Sequence, residues 1–229
     1  MEQWTLPFQT PWDVVGFALF LIVFPIYHIV YPWVARLVPS RAAVGRIDAL
    51  RRSWIERLLA KDDLTAAAQQ TRNLTMVNSI LVSSALILMG VTANVLVQLP
   101  AIEDKVPHPS DWDVHPGAIR VKLYLLILIF ASAFSFFMAA LRHLGQFVLV
   151  IGADKALVEA QFGSAAQYFT DLINRASHRY TLGVRSFHAA FPLVGWLFDS
   201  RLFVILTVFW AIKFFVFQDF STGRFRKRG

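Results

Sequence analysis

The sequence contains no cysteine. Disulfides, thiolate metal sites, iron–sulfur clusters and cysteine nucleophiles are thereby excluded, which leaves six His and fifteen carboxylates as the available metal ligands. Charge is also scarce: Asp, Glu, Lys and Arg make up 16% of the 229 residues, against roughly 25% in an ordinary globular domain. No Gly-rich phosphate loop, nucleophile elbow or HExxH pair is present, and the apolar runs hold no carboxylates. The expectation is a protein that is not an enzyme and carries no cofactor. No internal repeat is visible, so an inverted-repeat transporter has no support. The stretch Met1 to Pro11 lacks Lys and Arg, a poor match to the basic start of a cleaved signal peptide, so the first apolar segment is expected to be retained.

What the chain has in abundance is apolar surface. Hydrophobic residues reach 56%, and 21 residues are Phe. They are clustered, as a bilayer solvent requires of helices that satisfy their own backbone. Val14 to Val34 is uncharged over 21 residues, enough to cross a hydrocarbon core of about 30 Å. Pro25 within it predicts a kink or a freed carbonyl, and Trp12, Tyr31 and Trp33 stand at its ends as headgroup-level anchors. The sequence predicts an all-α integral membrane protein, a bundle of four to five transmembrane helices with one or two interfacial amphipathic helices. The spans fall at about 13–35, 74–99, 119–150, 184–198 and 202–219. Asp199-Ser200-Arg201 divides the last two, either as a bend or as a tight hairpin.

Charge bias orients the chain. Arg36 to Arg72 carries eight Lys/Arg, whereas Pro100 to Ala118 carries Lys105 beside four acids. The first connection is therefore expected in the cytoplasm and the N-terminus outside. The tail Arg224, Arg226, Lys227 and Arg228 favours the cytoplasm, which selects five spans over four. A cationic rim facing anionic lipid accounts for the net charge of +7 more simply than a nucleic-acid partner, for which no motif exists.

Two segments outside the spans have helical periodicity. From about 40 to 61, Val44, Ile47, Leu50, Trp54 and Leu58 recur with Arg41, Arg51 and Arg52 between them. That is the pattern of a helix lying on the cytoplasmic leaflet. A weaker version runs over about 154–175.

The stretches Arg52-Ser53-Trp54, Gln70-Thr71-Arg72-Asn73, Ser83-Ser84-Ala85, Arg142-His143-Leu144-Gly145 and Tyr180 to Phe187, with Phe191-Pro192-Leu193 and Trp196-Leu197-Phe198, resemble the membrane family catalogued as domain of unknown function 599. The resemblance covers roughly residues 15 to 215. It implies a bacterial inner-membrane protein of helical spans and carries no catalytic residues. The chain departs from the family's pattern at Asp199-Ser200, where Gly-Pro is expected.

Several constellations are candidates for function. Thr71, Thr75, Ser79 and Ser83 share one helical face, which Asn78 extends. Ser132, Ser135, Arg142, His143 and Gln146 form a matching stripe on the next span. Two such stripes could line an aqueous path; hydroxyl residues also simply let helices pack and bond in lipid. Cations at membrane depth need a partner, a cavity or a shallow position. Arg72, Arg142, Arg185, His188 and Lys213 could converge on an anion or a lipid headgroup, or snorkel separately. His28 and His143 fall at similar depth, which permits a bis-histidine haem, although ordinary hydrogen-bonded histidines fit as well. His108, Asp111, Asp113 and His115 could hold a divalent cation or be solvated. The sequence favours a homo-oligomeric channel-like protein passing small anions. The alternatives are an accessory subunit of a larger membrane complex and a lipid-binding protein. Membrane lipids are expected partners in every case.

Overall fold

The computed structural model describes residues 8–26, 43–61, 64–103 and 116–214, and those residues form seven α-helices with no strand among them. They are α1 (Pro11–Leu21), α2 (Ala43–Lys61), α3 (Leu64–Glu103), α4 (Pro116–Val150), α5 (Lys155–Phe162), α6 (Ala165–Phe198) and α7 (Ser200–Lys213). Two of them, over Leu64–Ala101 and Gly117–Val150, are long and apolar enough to cross a membrane. At 1.5 Å per residue the 40 residues of α3 reach about 60 Å, roughly twice a hydrocarbon core.

Helix α1 starts at a capping box. The Thr10 hydroxyl accepts from the Asp13 N–H, and the Asp13 carboxylate accepts from the Thr10 N–H. Pro25 perturbs the helix as its chemistry demands: α1 passes into a π-helical turn over Ile22–Ile26, which absorbs the missing donor.

The centre of the molecule is the antiparallel pair α4 and α6. On α4, Leu126, Phe130, Ala133, Phe137, Ala140, Leu144 and Phe147 are buried at spacings of three and four. Gly183 of α6 lies directly over the Phe137 ring, where an added Cβ would sit 2.5 Å from a ring atom. Only glycine allows so close an approach. Helix α3 joins this contact: Ala85 is buried with Ala133 and Phe137 of α4, and Leu81, Val82, Phe134 and the α6 residues Tyr180, Val184 and Phe187 close around them.

The apolar region after Arg185 resolves into a hairpin. Asp199 is extended, with φ −156° and ψ 138°, and its carboxylate caps α7 by accepting from the Arg201 and Leu202 N–H groups. Helix α7 then folds back on α6: Trp196 stacks on Phe203 at 4.6 Å, and His188 stacks on Trp210 at 4.1 Å. Helix α1 lies beside α7, with Phe20 against Phe203 and Phe24 against Phe214.

The region expected to hold one helix over about 154–175 and a separate span over 184–198 differs. A short α5 ends at Gly163, whose φ of 84° suits glycine. Ser164 then caps α6, which runs unbroken through both expected segments. Periodicity gave no reason to join them because polar residues from Asn174 to Thr181 interrupt the apolar pattern.

A second apolar cluster sits at the other end of α6. Ile55 and Leu58 of α2, Phe147 and Ile151 of α4, Val158 of α5 and Phe169 and Leu172 of α6 are buried together. Helix α2 is tied down by its arginines. Arg51 pairs with Asp48 at 3.0 Å and donates to Ser177 and Asn174 of α6 at 2.6 and 3.2 Å; Arg52 reaches Gln167 at 3.2 Å.

Candidate functional site

Helices α1 and α4 both flank α6, and a groove of about 540 Å³ remains between them. Its walls are apolar: Phe17, Phe20, Leu21 and Phe24 on one side, Leu125, Leu128, Ile129 and Phe136 on the other. Its floor is a helical stripe of α6, namely His178, Arg179, Leu182, Arg185, Ser186 and Leu193, at steps of one, three, three, one and seven. One end is cationic and the other is greasy. From Arg179 to Leu193 the floor measures about 21 Å.

The cationic end has two layers. Arg179 is exposed at the mouth with the partly desolvated His178 beside it, whereas Arg185 is 7% exposed, about 9 Å further in. The Arg185 guanidinium lies 5.7 Å from the centre of the Phe214 ring, a cation–π arrangement that tolerates charge among apolar neighbours. The His178 imidazole is held below its ordinary pKa by burial first and by Arg179 and Arg185 next, with Asp48 opposing them. It is therefore neutral near pH 7, and the two arginines supply the positive charge of the groove.

Beyond the greasy end, next to Phe17 and Leu193, lies a polar knot. Asp13, 1% exposed, accepts from Trp196 Nε1 and Ser200 Oγ, each at 2.5 Å, while its other oxygen serves the Thr10 cap. Lys122 Nζ donates to the Trp196 carbonyl at 2.9 Å and stands 4.9 Å from the centre of its ring. Four elements thus meet around one indole.

Of the cations that could converge or snorkel separately, three share aromatic neighbours: His188 and Lys213 flank Trp210, the lysine 3.9 Å from its ring centre, and Arg185 shares Phe214 with His188. Arg72 and Arg142 are exposed elsewhere, on α3 and α4. The hydroxyl stripe of α3 divides. Thr71 is buried and bonds the Ala67 carbonyl at 2.7 Å, Thr75 is half-buried, and Ser79 and Ser83 are exposed. Asn78 crosses to the Phe137 carbonyl at 3.0 Å. On α4, Ser132 and Ser135 bond the Leu128 and Ala131 carbonyls at 2.8 Å, as hydroxyls in apolar helices do. Ser132 also lines the groove. Gln146 is exposed, and His143 is half-buried with no hydrogen bond to Nδ1 among the described residues.

Of the amphipathic helix, Leu58 is buried and Trp54 half-buried against the protein, whereas Ile47 is exposed. Val44 lies in α2 by its backbone. Arg41, His28 and the loop with His108, Asp111, Asp113 and His115 lie outside the described residues, as does the basic tail.

The knot and the groove are not among the constellations expected from the sequence. Thr10-x-x-Asp13 has the spacing of a capping box, and Lys122 interrupts an apolar run one turn from its start, so both signals were available. The α6 stripe is also legible as a periodicity once Arg179 and Arg185 are placed on one face.

Residues 15–223, nearly the whole chain, match the family described as protein of unknown function, DUF599. The chain belongs to that family. No curated protein and no solved structure matches it. DUF599 membership fixes kinship and leaves the activity to be argued from the groove.

Proposed function

We propose that this DUF599 protein is a five-span inner-membrane protein that binds an anionic amphiphile, a membrane lipid or its relative, in the groove over α6. The observation that carries the reading is the polarity of that groove: apolar walls along its length, with Arg179 and Arg185 at one end. A bilayer supplies molecules of the same polarity, and ligand sites are commonly apolar clefts with a few placed polar groups. Spans formed by α1, α3, α4, α6 and α7 agree with the antiparallel α6–α7 hairpin and with the cytoplasmic preference of the basic tail. Arg179, with α2 beside it, then falls at the cytoplasmic headgroup level. No enzymatic step is assigned; binding, presentation or stabilisation of lipid is the activity proposed.

The experiment is native mass spectrometry of the full chain released from nanodiscs of mixed phosphatidylethanolamine and phosphatidylglycerol doped with the single-chain lyso form of each. The expected result is retained phosphatidylglycerol-type anionic lipid, reduced on the order of tenfold in Arg179→Gln, which removes one charge-assisted contact. Equal retention of both headgroups, unchanged by the substitution, overturns the reading.

A second reading rests on a separate flank. Ser135, Arg142 and Gln146 are exposed along one side of α4, with Ser79 and Ser83 exposed on α3. Polar side chains left facing lipid favour a contact with other copies or with a larger complex. The channel-like reading needs such copies, and the mass of the gently solubilised particle tests it: a ring of identical chains supports it, a monomer sinks it.

A further inference from the structure

Resting on the amphiphile-binding reading, we infer that the groove takes a single acyl chain, so that its ligand is a single-chain anionic amphiphile of the lysophospholipid or fatty-acid class rather than a two-chain lipid. Three features of the groove carry this. The first is volume: 540 Å³ lies in the ordinary range of a site for one small molecule, about 300–1,000 Å³, which suits a single acyl chain. The second is width. The floor is the face of one helix, α6, and each wall is one helix, α1 or α4. A second chain has no floor to lie on.

The third is the closed end. Leu193, 1% exposed, ends the floor, and Phe17 packs on Trp196 at 5.8 Å, directly against the indole that Asp13 and Lys122 hold. A chain entering headgroup-last from the Arg179 mouth runs about 21 Å before it meets this stop. The same geometry makes the groove a ruler: shorter chains leave it part empty, and longer ones must fold or protrude. The anionic head stays at His178 and Arg179, with Arg185 drawing it inward along the groove.

The test uses the full chain in phosphatidylcholine nanodiscs, with native mass spectrometry as the readout. The probes are decanoyl, palmitoyl and behenoyl lysophosphatidylglycerol, palmitate, and dipalmitoyl phosphatidylglycerol. The palmitoyl lysolipid is expected to bind at least about tenfold more tightly than the decanoyl, behenoyl and dipalmitoyl forms, since each buried methylene adds affinity only while there is groove to bury it. Palmitate competing for the same site identifies a carboxylate ligand; its failure to compete, with the lysolipid bound, identifies a phosphate one, and both results support the single chain. Phe17→Ala removes the stop and should move the optimum toward the behenoyl form. Leu128→Trp, at an exposed position on the groove wall that does not perturb the core, should weaken every single-chain probe. Equal binding of the dipalmitoyl and palmitoyl forms overturns the single-chain inference while leaving the amphiphile reading intact. Binding of none of the anionic probes overturns both.

Discussion

Two glycines give opposite expectations for the same substitution. Gly145 on α4 has nothing within 4 Å of an added Cβ, so Gly145→Ala should gain about 1 kcal/mol of helix propensity. Gly183→Ala gains the same but drives a methyl into the Phe137 ring, which is fully buried and cannot move aside. Overpacking of about 1–3 kcal/mol outweighs the gain. Thermal unfolding in detergent should therefore rise for the first variant and fall for the second; a rise in both would mean that α6 can shift away from α4. His178 makes a pH prediction. Its pKa lies below the ordinary value of about 6.5 because burial and two arginines disfavour its charge. Protonation on acidification adds a cation at the mouth, so palmitoyl lysophosphatidylglycerol affinity should rise as pH falls below about 6.5, and the rise should vanish in His178→Gln. Titrating lipid binding from about pH 8 to about pH 5 checks this.

The helices were legible in the sequence to differing degrees, and the reasons are physical. The α3 and α4 spans announce themselves because uncharged runs leave no other solvent for so much apolar surface. The break at Asp199 is legible as either a bend or a hairpin but not as one of the two, because a carboxylate can cap a new helix or end an old one. Helix α6 is legible only as two pieces because its faces change character along its length: its first half adds the polar contacts of Arg51 and Arg52 to an apolar cluster with α2, and its second half packs among aromatics. Helix α2 was legible as amphipathic, but its arginines answer to α6 rather than to lipid alone. Arg51→Ala removes donors to Ser177 and Asn174, and charged hydrogen bonds of this kind contribute about 1.5–3 kcal/mol when shielded, less at this partly exposed site. Faster proteolysis between α2 and α3, with the α3–α4 pair left intact, is the expected outcome; cleavage no faster than in the parent chain would show that Ile55 and Leu58 alone hold α2.

At the scale of the whole molecule, the absence of cysteine turns from an exclusion into a tool. Single cysteines can be introduced anywhere against a blank background. With five spans, Lys105→Cys should react with an impermeant maleimide added to intact cells, whereas Ala153→Cys and Lys227→Cys should react only after the membrane is opened. Labelling of Lys227→Cys from outside would reduce the spans to four. The groove itself could not be read from composition or spacing. It exists because α1 and α4 stand apart over α6, and that separation is a property of three helices at once.

The continuity of α6 has a mechanical consequence. Asn174, which receives Arg51, and Arg185, deep in the groove, are separated by about 16 Å of helix that contains no proline. A rod of that length has no joint at which to lose a displacement. Whatever tilts or turns α6 at the groove must also move the surface on which α2 rests, and a load placed on α2 must be felt at the groove by the same amount of free energy. The helix behaves as a lever with the groove on one arm and α2 on the other, so a change at either end can be read, or set, from the other.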